Sequence, residues 1–202
     1  MPAQTMQQGL AISSARSIQR EDTRRRLLAC ARQQFRSVGV EPVAMEDIAS
    51  AAAVSRATVY LHFAGKPALL RALLEEDWAS QKQLFERLRK VDFADGEDVA
   101  GWVRRVAAGM RVASDSFAIH RAALGQNSGL TLRHQQHLEE LAKILCAAAG
   151  TKPARRRLLE AELIVAEIEH FATASVVGWS EEDTAMAVQL VVARLWTYAS
   201  GS

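Results

Sequence analysis

Val43 to Lys66 reads VAMEDIASAAAVSRATVYLHFAGK, and this stretch decides the fold. Its pattern predicts two short helices: Ala44 to Ala52, burying Met45, Ile48 and Ala49, and Ser55 to about Leu61 after a very tight turn. Isolated helices shorter than roughly 12 to 15 residues are marginal in water, so both need something to pack on. Ala49 is small enough to let two helices cross closely, Val54 fills the turn, and Val59 is spaced to point back into the same core. That is helix-turn-helix anatomy. The outward positions of the second helix are Ser55, Arg56, Thr58 and Tyr60, with Ala57 among them and His62 nearby. Short polar, basic and phenolic groups of this kind suit base edges and phosphates in a DNA major groove.

Upstream, Leu28, Ala31, Phe35 and Val38 recur at helical spacing from about Glu21 until Gly39 supplies a stop. This helix is the third element the pair requires. Residues 1–18 are polar and lack an apolar stripe, so they read as a loose tail. Downstream, Pro67 suits the first turn of a helix, where its missing N–H has no intrahelical partner to lose. A long helix through Leu70, Leu73, Leu74, Trp78, Leu84 and Leu88 is predicted to reach Lys90, followed by a loop over Asp92 to Asp98. Further helices are predicted over about 98–114, 116–125, 131–149, 154–177 and 181–199, and no segment alternates as a strand does. The fold class is therefore all-α with about nine helices. A tail (1–18) precedes a helix-turn-helix domain (19–66) and a larger helical domain (67–202).

The net charge of +2 over 202 residues is too small to name a partner, so its distribution matters. Residues 1–66 hold nine Lys or Arg against five Asp or Glu, and the positive charge is concentrated there. Gln189 and Arg194 interrupt the apolar C-terminal stretches well short of the roughly 18 to 20 residues that span a bilayer. The first residues lack the basic-then-apolar order of a secretory signal, so a cytoplasmic location and no membrane partner are expected. Cys30 and Cys146 have no CxxC or histidine partner at metal-ligand spacing and read as reduced core residues.

Each candidate side chain also has a plainer role. Ser55 is a good N-cap, so its hydroxyl serves either the backbone or a phosphate. Tyr60 is either a half-buried aromatic or a phosphate contact, with Arg56 one turn earlier favouring the second. Lys66 lies where free N–H groups at a helix start favour an anion. Arg16, Arg20 and Arg24 to Arg26 form either a solvated face or a basic arm that adds electrostatic affinity or reaches a minor groove.

Phe35, Gly39-Val40, Asp47-Ile48-Ala49, Val54-Ser55, Tyr60, His62, Phe63 and Lys66 together resemble the TetR family of transcriptional regulators over about residues 22–72. The resemblance implies that the Ala44 to Ala52 helix touches phosphates at its N-terminal end, the Ser55 to Leu61 helix enters the major groove, and Lys66 clamps a phosphate. It implies a dimeric repressor on a palindromic operator, released by a small-molecule inducer. Two positions depart from the pattern. Ala53 stands where the family usually has Gly, and Ala44, where Thr or Ser is usual, has no hydroxyl to cap the helix or hold a phosphate.

Beyond about residue 75 the resemblance loses specificity. Trp102, Met110, Phe117, His120, His134 and Phe171 are candidate walls of a largely apolar ligand cavity, with ordinary core packing as the competing role. The last two helices are apolar around much of their circumference, so Ile164, Ile168, Phe171, Val188, Val191, Val192 and Leu195 are candidate dimer contacts. His134 and His137, with His170 or Glu167, make only a faint metal signal, and neither metal nor cofactor is expected. No nucleophile-base pair, Gly-rich phosphate loop or carboxylate pair suggests an enzyme. The competing function is a helical sensor or carrier that has lost specific DNA binding.

Overall fold

The computed structural model describes residues 3–112, 119, 122 and 128–201. Among them lie α1 (Ala3–Val38), α2 (Met45–Ala51), α3 (Arg56–His62) and α4 (Lys66–Glu86), which runs into a 3-10 turn over Arg87–Lys90. They continue with α5 (Gly96–Val112), α6 (Ser128–Ala148), α7 (Arg155–Val177) and α8 (Glu181–Ser200), and no strand occurs among the described residues. The helix predicted at 116–125 falls largely outside them. The chain divides into two compact units, one ending at Leu73 and the other beginning at Leu74, so that the division falls within the sequence of α4. The sequence places the boundary at Lys66, but Leu69, Leu70 and Leu73 of α4 are buried residues of the first unit.

In the first unit, Leu27, Leu28, Ala31 and Phe35 of α1 are buried together with Ile48 and Ala49 of α2 and Val59 of α3. Val38, expected inside, is 58% exposed, while Leu27 takes the inner position that the sequence reading passed over. α1 is also longer than predicted: residues 3–18 are helical, not a loose tail. Once the buried turns of α1 have formed the nucleus, each further residue adds a hydrogen bond without a new nucleation cost. No proline interrupts Ala3–Val38, so the helix propagates outward.

The turn between α2 and α3 closes with two bonds, Val54 N–H to the Ala49 carbonyl (3.0 Å) and Ala53 N–H to the Ser50 carbonyl (3.1 Å). This pair is the Schellman arrangement, which requires a left-handed residue just after the helix cap. Ala53 occupies that place with φ +52°, the one non-glycine residue at positive φ among those described. An alanine Cβ is crowded there, and the buried Ile48, Ala49 and Val59 hold it in place.

In the second unit, Trp102, Val103 and Val106 of α5 share one core with Leu141 and Leu145 of α6, Ile164, Val165 and Ile168 of α7, and Val191 and Leu195 of α8. α8 starts at a full capping box: the Ser180 hydroxyl accepts from Asp183 N–H, and the Asp183 carboxylate accepts from Ser180 N–H, each at 3.0 Å. Cys146 is buried with its sulfur 3.0 Å from the Tyr198 hydroxyl, and Cys30 is half-buried.

Glycine at position 53 removes the left-handed penalty, so Ala53→Gly is expected to raise the stability of the full chain by about 1 kcal/mol. Thermal or urea unfolding measures this, and an unchanged or lower midpoint means the turn carries no strain.

Candidate functional site

The outer face of α3 is built by its cap. The Ser55 hydroxyl accepts from Thr58 N–H at 3.1 Å and lies 2.8 Å from the Thr58 hydroxyl, so both side chains serve the start of the helix. With Ser55 and Thr58 turned to this task, Arg56 and Tyr60 carry most of the polar surface. The Arg56 guanidinium lies 5.5 Å from the Tyr60 ring centre, and its Nε is 2.8 Å from a Glu46 carboxylate oxygen of α2. Exposed pairs of this kind are worth little, so a phosphate could draw Arg56 away. Ala57 is exposed beside them.

Leu61, outside the expected contact set, is 77% exposed. The available signal was its position two residues after buried Val59, which turns it away from the core. An apolar side chain there suits a thymine methyl group. His62 is half-buried, and burial followed by the charges of Arg20 and Arg24 holds it below the ordinary histidine range.

Lys66 does something the sequence could not show. Its ammonium donates to the carbonyls of Val40 (3.0 Å) and Glu41 (2.9 Å), pinning the start of α4 to the loop between α1 and α2. An ammonium has three protons, so this role and a phosphate contact are compatible in number. At α2 the departure from the family pattern has a partial replacement. Ala44 is the N-cap and has no side-chain acceptor, but its N–H donates to the Asp47 carboxylate at 2.7 Å. That is the Asp47 half of a capping box; the half that an N-cap hydroxyl would supply is missing.

Residues 27–73 match the family described as bacterial regulatory proteins, tetR family. That stretch is similar to the TetR family and lies within the first unit. The whole described fold is similar to a protein from Mesorhizobium loti MAFF303099 assigned to the TetR family of transcriptional regulators (16% identity, 90% of this chain and 97% of that chain, TM-score 0.67). It is also similar to a TetR-family regulator from Pectobacterium atrosepticum (28% identity, 88% and 92%, TM-score 0.53). A third similar structure is FadR of Bacillus subtilis, solved with stearoyl-CoA (20% identity, 88% and 98%, TM-score 0.59). No curated protein matches the sequence.

Of the expected ligand residues, the side chains of Trp102, His134 and Phe171 are described, and each has its own surroundings. Trp102 is core: its indole N–H donates to the Leu84 carbonyl at 3.0 Å and its ring stands edge-on to Phe85, 5.3 Å between centres. Phe171 is also buried core, 6.1 Å from the Trp179 ring. Met110 lies in α5 but its side chain is outside the described residues, as are Phe117 and His120. His134 belongs to a different grouping, with its Nε2 3.6 Å from a Glu169 carboxylate oxygen and its ring 6.0 Å from Trp78. His137, which the sequence reading had not placed in a pocket, is buried, stacks on Trp78 at 5.5 Å and shares a 2.8 Å hydrogen bond with Gln81. Among the described residues no three His, Cys, Asp or Glu come together as metal ligands would.

The expected dimer contacts are corrected in the same way. Ile164, Ile168, Phe171, Val188, Val191 and Leu195 are buried within the unit's own core. Val192 is half-buried and lines an open groove of about 700 Å³ between α5 and α8 with Ala100, Arg104 and Trp196. Among the described side chains of α7 and α8, the exposed large apolar groups are Leu159, Leu163, Met186, Leu190 and Trp196. A helix apolar all round does not announce which face its own chain will cover.

Burial pushes the Glu169 carboxyl up from 4.5 to about 7, and burial also holds His134 below its ordinary value. A carboxyl that binds its proton more tightly when folded contributes stability that is complete below its unfolded value and lost as pH rises to about 7. Glu169→Gln lacks this titration. Its stability relative to the wild type is therefore expected to rise between about pH 5 and about pH 8, by about 3 kcal/mol at most. Thermal melts across that range test it, and a difference that does not change with pH would count against a buried, titrating Glu169.

Proposed function

We propose that this chain is a dimeric transcriptional repressor that holds a palindromic operator and releases it on binding a largely apolar small molecule. The observation that carries the reading is the exposed Arg56, Tyr60 and Leu61 face of α3, set on a stretch similar to the TetR family. Arg56 and Tyr60 supply phosphate and base-edge contacts, and Leu61 an apolar one. His62, Ala57 and Lys66 flank that face, while Ser55 and Thr58 keep the helix start in order. Ala44 brings only its backbone to the DNA side of α2.

The dimer forms through the apolar stripe of Leu159 and Leu163 on α7 and Met186 and Leu190 on α8. Each pair is spaced i, i+4 on one helix face. Glu167 and Arg194, 3.9 Å apart, join the outer faces of the two helices beside that stripe. Two-fold symmetry then presents two α3 helices to two half-sites, which is why the operator is palindromic. FadR of B. subtilis was solved with stearoyl-CoA, which supports an apolar ligand for the second unit. Ligand binding there is read out through α4 as a changed separation of the two α3 helices, so that both half-sites are no longer engaged together. No helix among the described residues is long and apolar enough to cross a membrane, and the site of action is cytoplasmic DNA.

Selection of bound sequences from random duplex DNA at near-physiological salt is expected to enrich a palindrome. An Arg56→Ala, Tyr60→Ala variant should lose at least about tenfold in affinity for it, given about 1 to 3 kcal/mol per good contact. No enrichment by the wild type overturns the DNA reading. In a separate measurement, Leu163→Glu with Leu190→Glu is expected to convert a dimer to a folded monomer in size-exclusion chromatography with light scattering. A variant that stays dimeric places the interface elsewhere.

A further inference from the structure

We propose that α1 carries a second DNA-contacting surface, a stripe of Arg16, Arg20 and Arg24 that lies along the sugar-phosphate backbone beside the groove entered by α3. The inference deepens the DNA-binding reading and rests on it. Because α1 is helical from Ala3, the three arginines sit four residues apart on one helix face, about 6 Å apart along the axis. In a loose tail they would have had no fixed spacing.

The geometry also sets where this stripe points. The Arg24 guanidinium lies 4.6 Å from the centre of the Phe63 ring, immediately after α3. Arg20 and Arg24 both act electrostatically on His62, the last residue of α3, with Glu21 opposing them. The stripe therefore begins beside the C-terminal end of the recognition helix and continues through exposed Arg20 and Arg16 along α1. Arg25 is turned elsewhere and pairs with exposed Asp22, so it fits the solvated-face role.

The helical form also selects the part of DNA that is touched. A helix with side chains is roughly 10 to 12 Å across, and the minor groove roughly 6 Å wide. α1 cannot thread that groove as an extended arm does, so it rides on the backbone. Guanidinium forks match phosphate oxygens, and such contacts add affinity without reading sequence.

The test uses the full chain and leaves Arg24 in place because it packs on Phe63. Arg16→Gln with Arg20→Gln keeps helix propensity while removing two charges. The dissociation constant is measured against salt on a duplex carrying the selected site and on a random-sequence duplex of equal length. The expected result is a log-log salt slope shallower by about 2 per bound protomer on both duplexes, with the ranking of operator variants unchanged. Arg16→Lys with Arg20→Lys should hold the slope near the wild-type value. An unchanged slope in the glutamine variant overturns the proposal. So does a lysine variant as weak as the glutamine one, which would mean a structural role, or an altered base preference, which would mean groove readout. Should the wild type select no palindrome, the reading of α3 fails, but the slope on random duplex still decides the role of α1 by the same criteria.

Discussion

The packing of α2 and α3 against α1 is the constraint from which the DNA-facing half follows. Each of the two helices is seven residues long and could not persist alone in water. Ile48, Ala49 and Val59 are buried in this unit, as are Leu27, Leu28, Ala31 and Phe35 of α1. That core is also what maintains Ala53 in its left-handed turn. The turn in turn sets the angle at which α3 presents Arg56, Tyr60 and Leu61, so a strained backbone residue and an exposed recognition surface are parts of one arrangement.

Polar groups in this unit divide between building the site and forming it. Ser55 and Thr58 order the start of α3, Asp47 accepts from the Ala44 N–H at the start of α2, and Lys66 ties α4 to the loop between α1 and α2. Arg56 is held by Glu46 and Tyr60 in contacts weak enough to exchange. The difference is energetic. Bonds to backbone groups at helix ends satisfy donors and acceptors that would otherwise be lost, whereas an exposed ion pair gives up little when a phosphate replaces the carboxylate.

The second unit follows another logic, with most of its aromatic side chains spent on packing. Its unusual feature is the polar group around Trp78, where Gln81, His134, His137 and Glu169 converge from α4, α6 and α7. Burial drives both His134 and Glu169 toward their neutral forms, because a charge removed from water is costly unless fully compensated. Such a grouping is sensitive to pH and to its surroundings in a way that Trp102 and Phe171 are not.

What could be read from sequence was local. Helical periodicity, the stop at Gly39, the helix start at Pro67 and the helix-turn-helix all depend on residues within a few positions of one another, and their spacing carries the information. The N-terminal part of α1 is not legible in this way, because a polar stretch without an apolar stripe resembles disorder when the nucleus that propagates the helix is not in view. The tertiary structure alone decided that Lys66 reaches Val40 and Glu41, that His137 meets Gln81, and that Ile164, Val191 and Leu195 face inward while Leu163 and Leu190 remain outside. These contacts join residues far apart in the chain. They depend on how each helix is rotated about its axis, and a helix that is apolar on several faces encodes more than one acceptable rotation until its neighbours are in place.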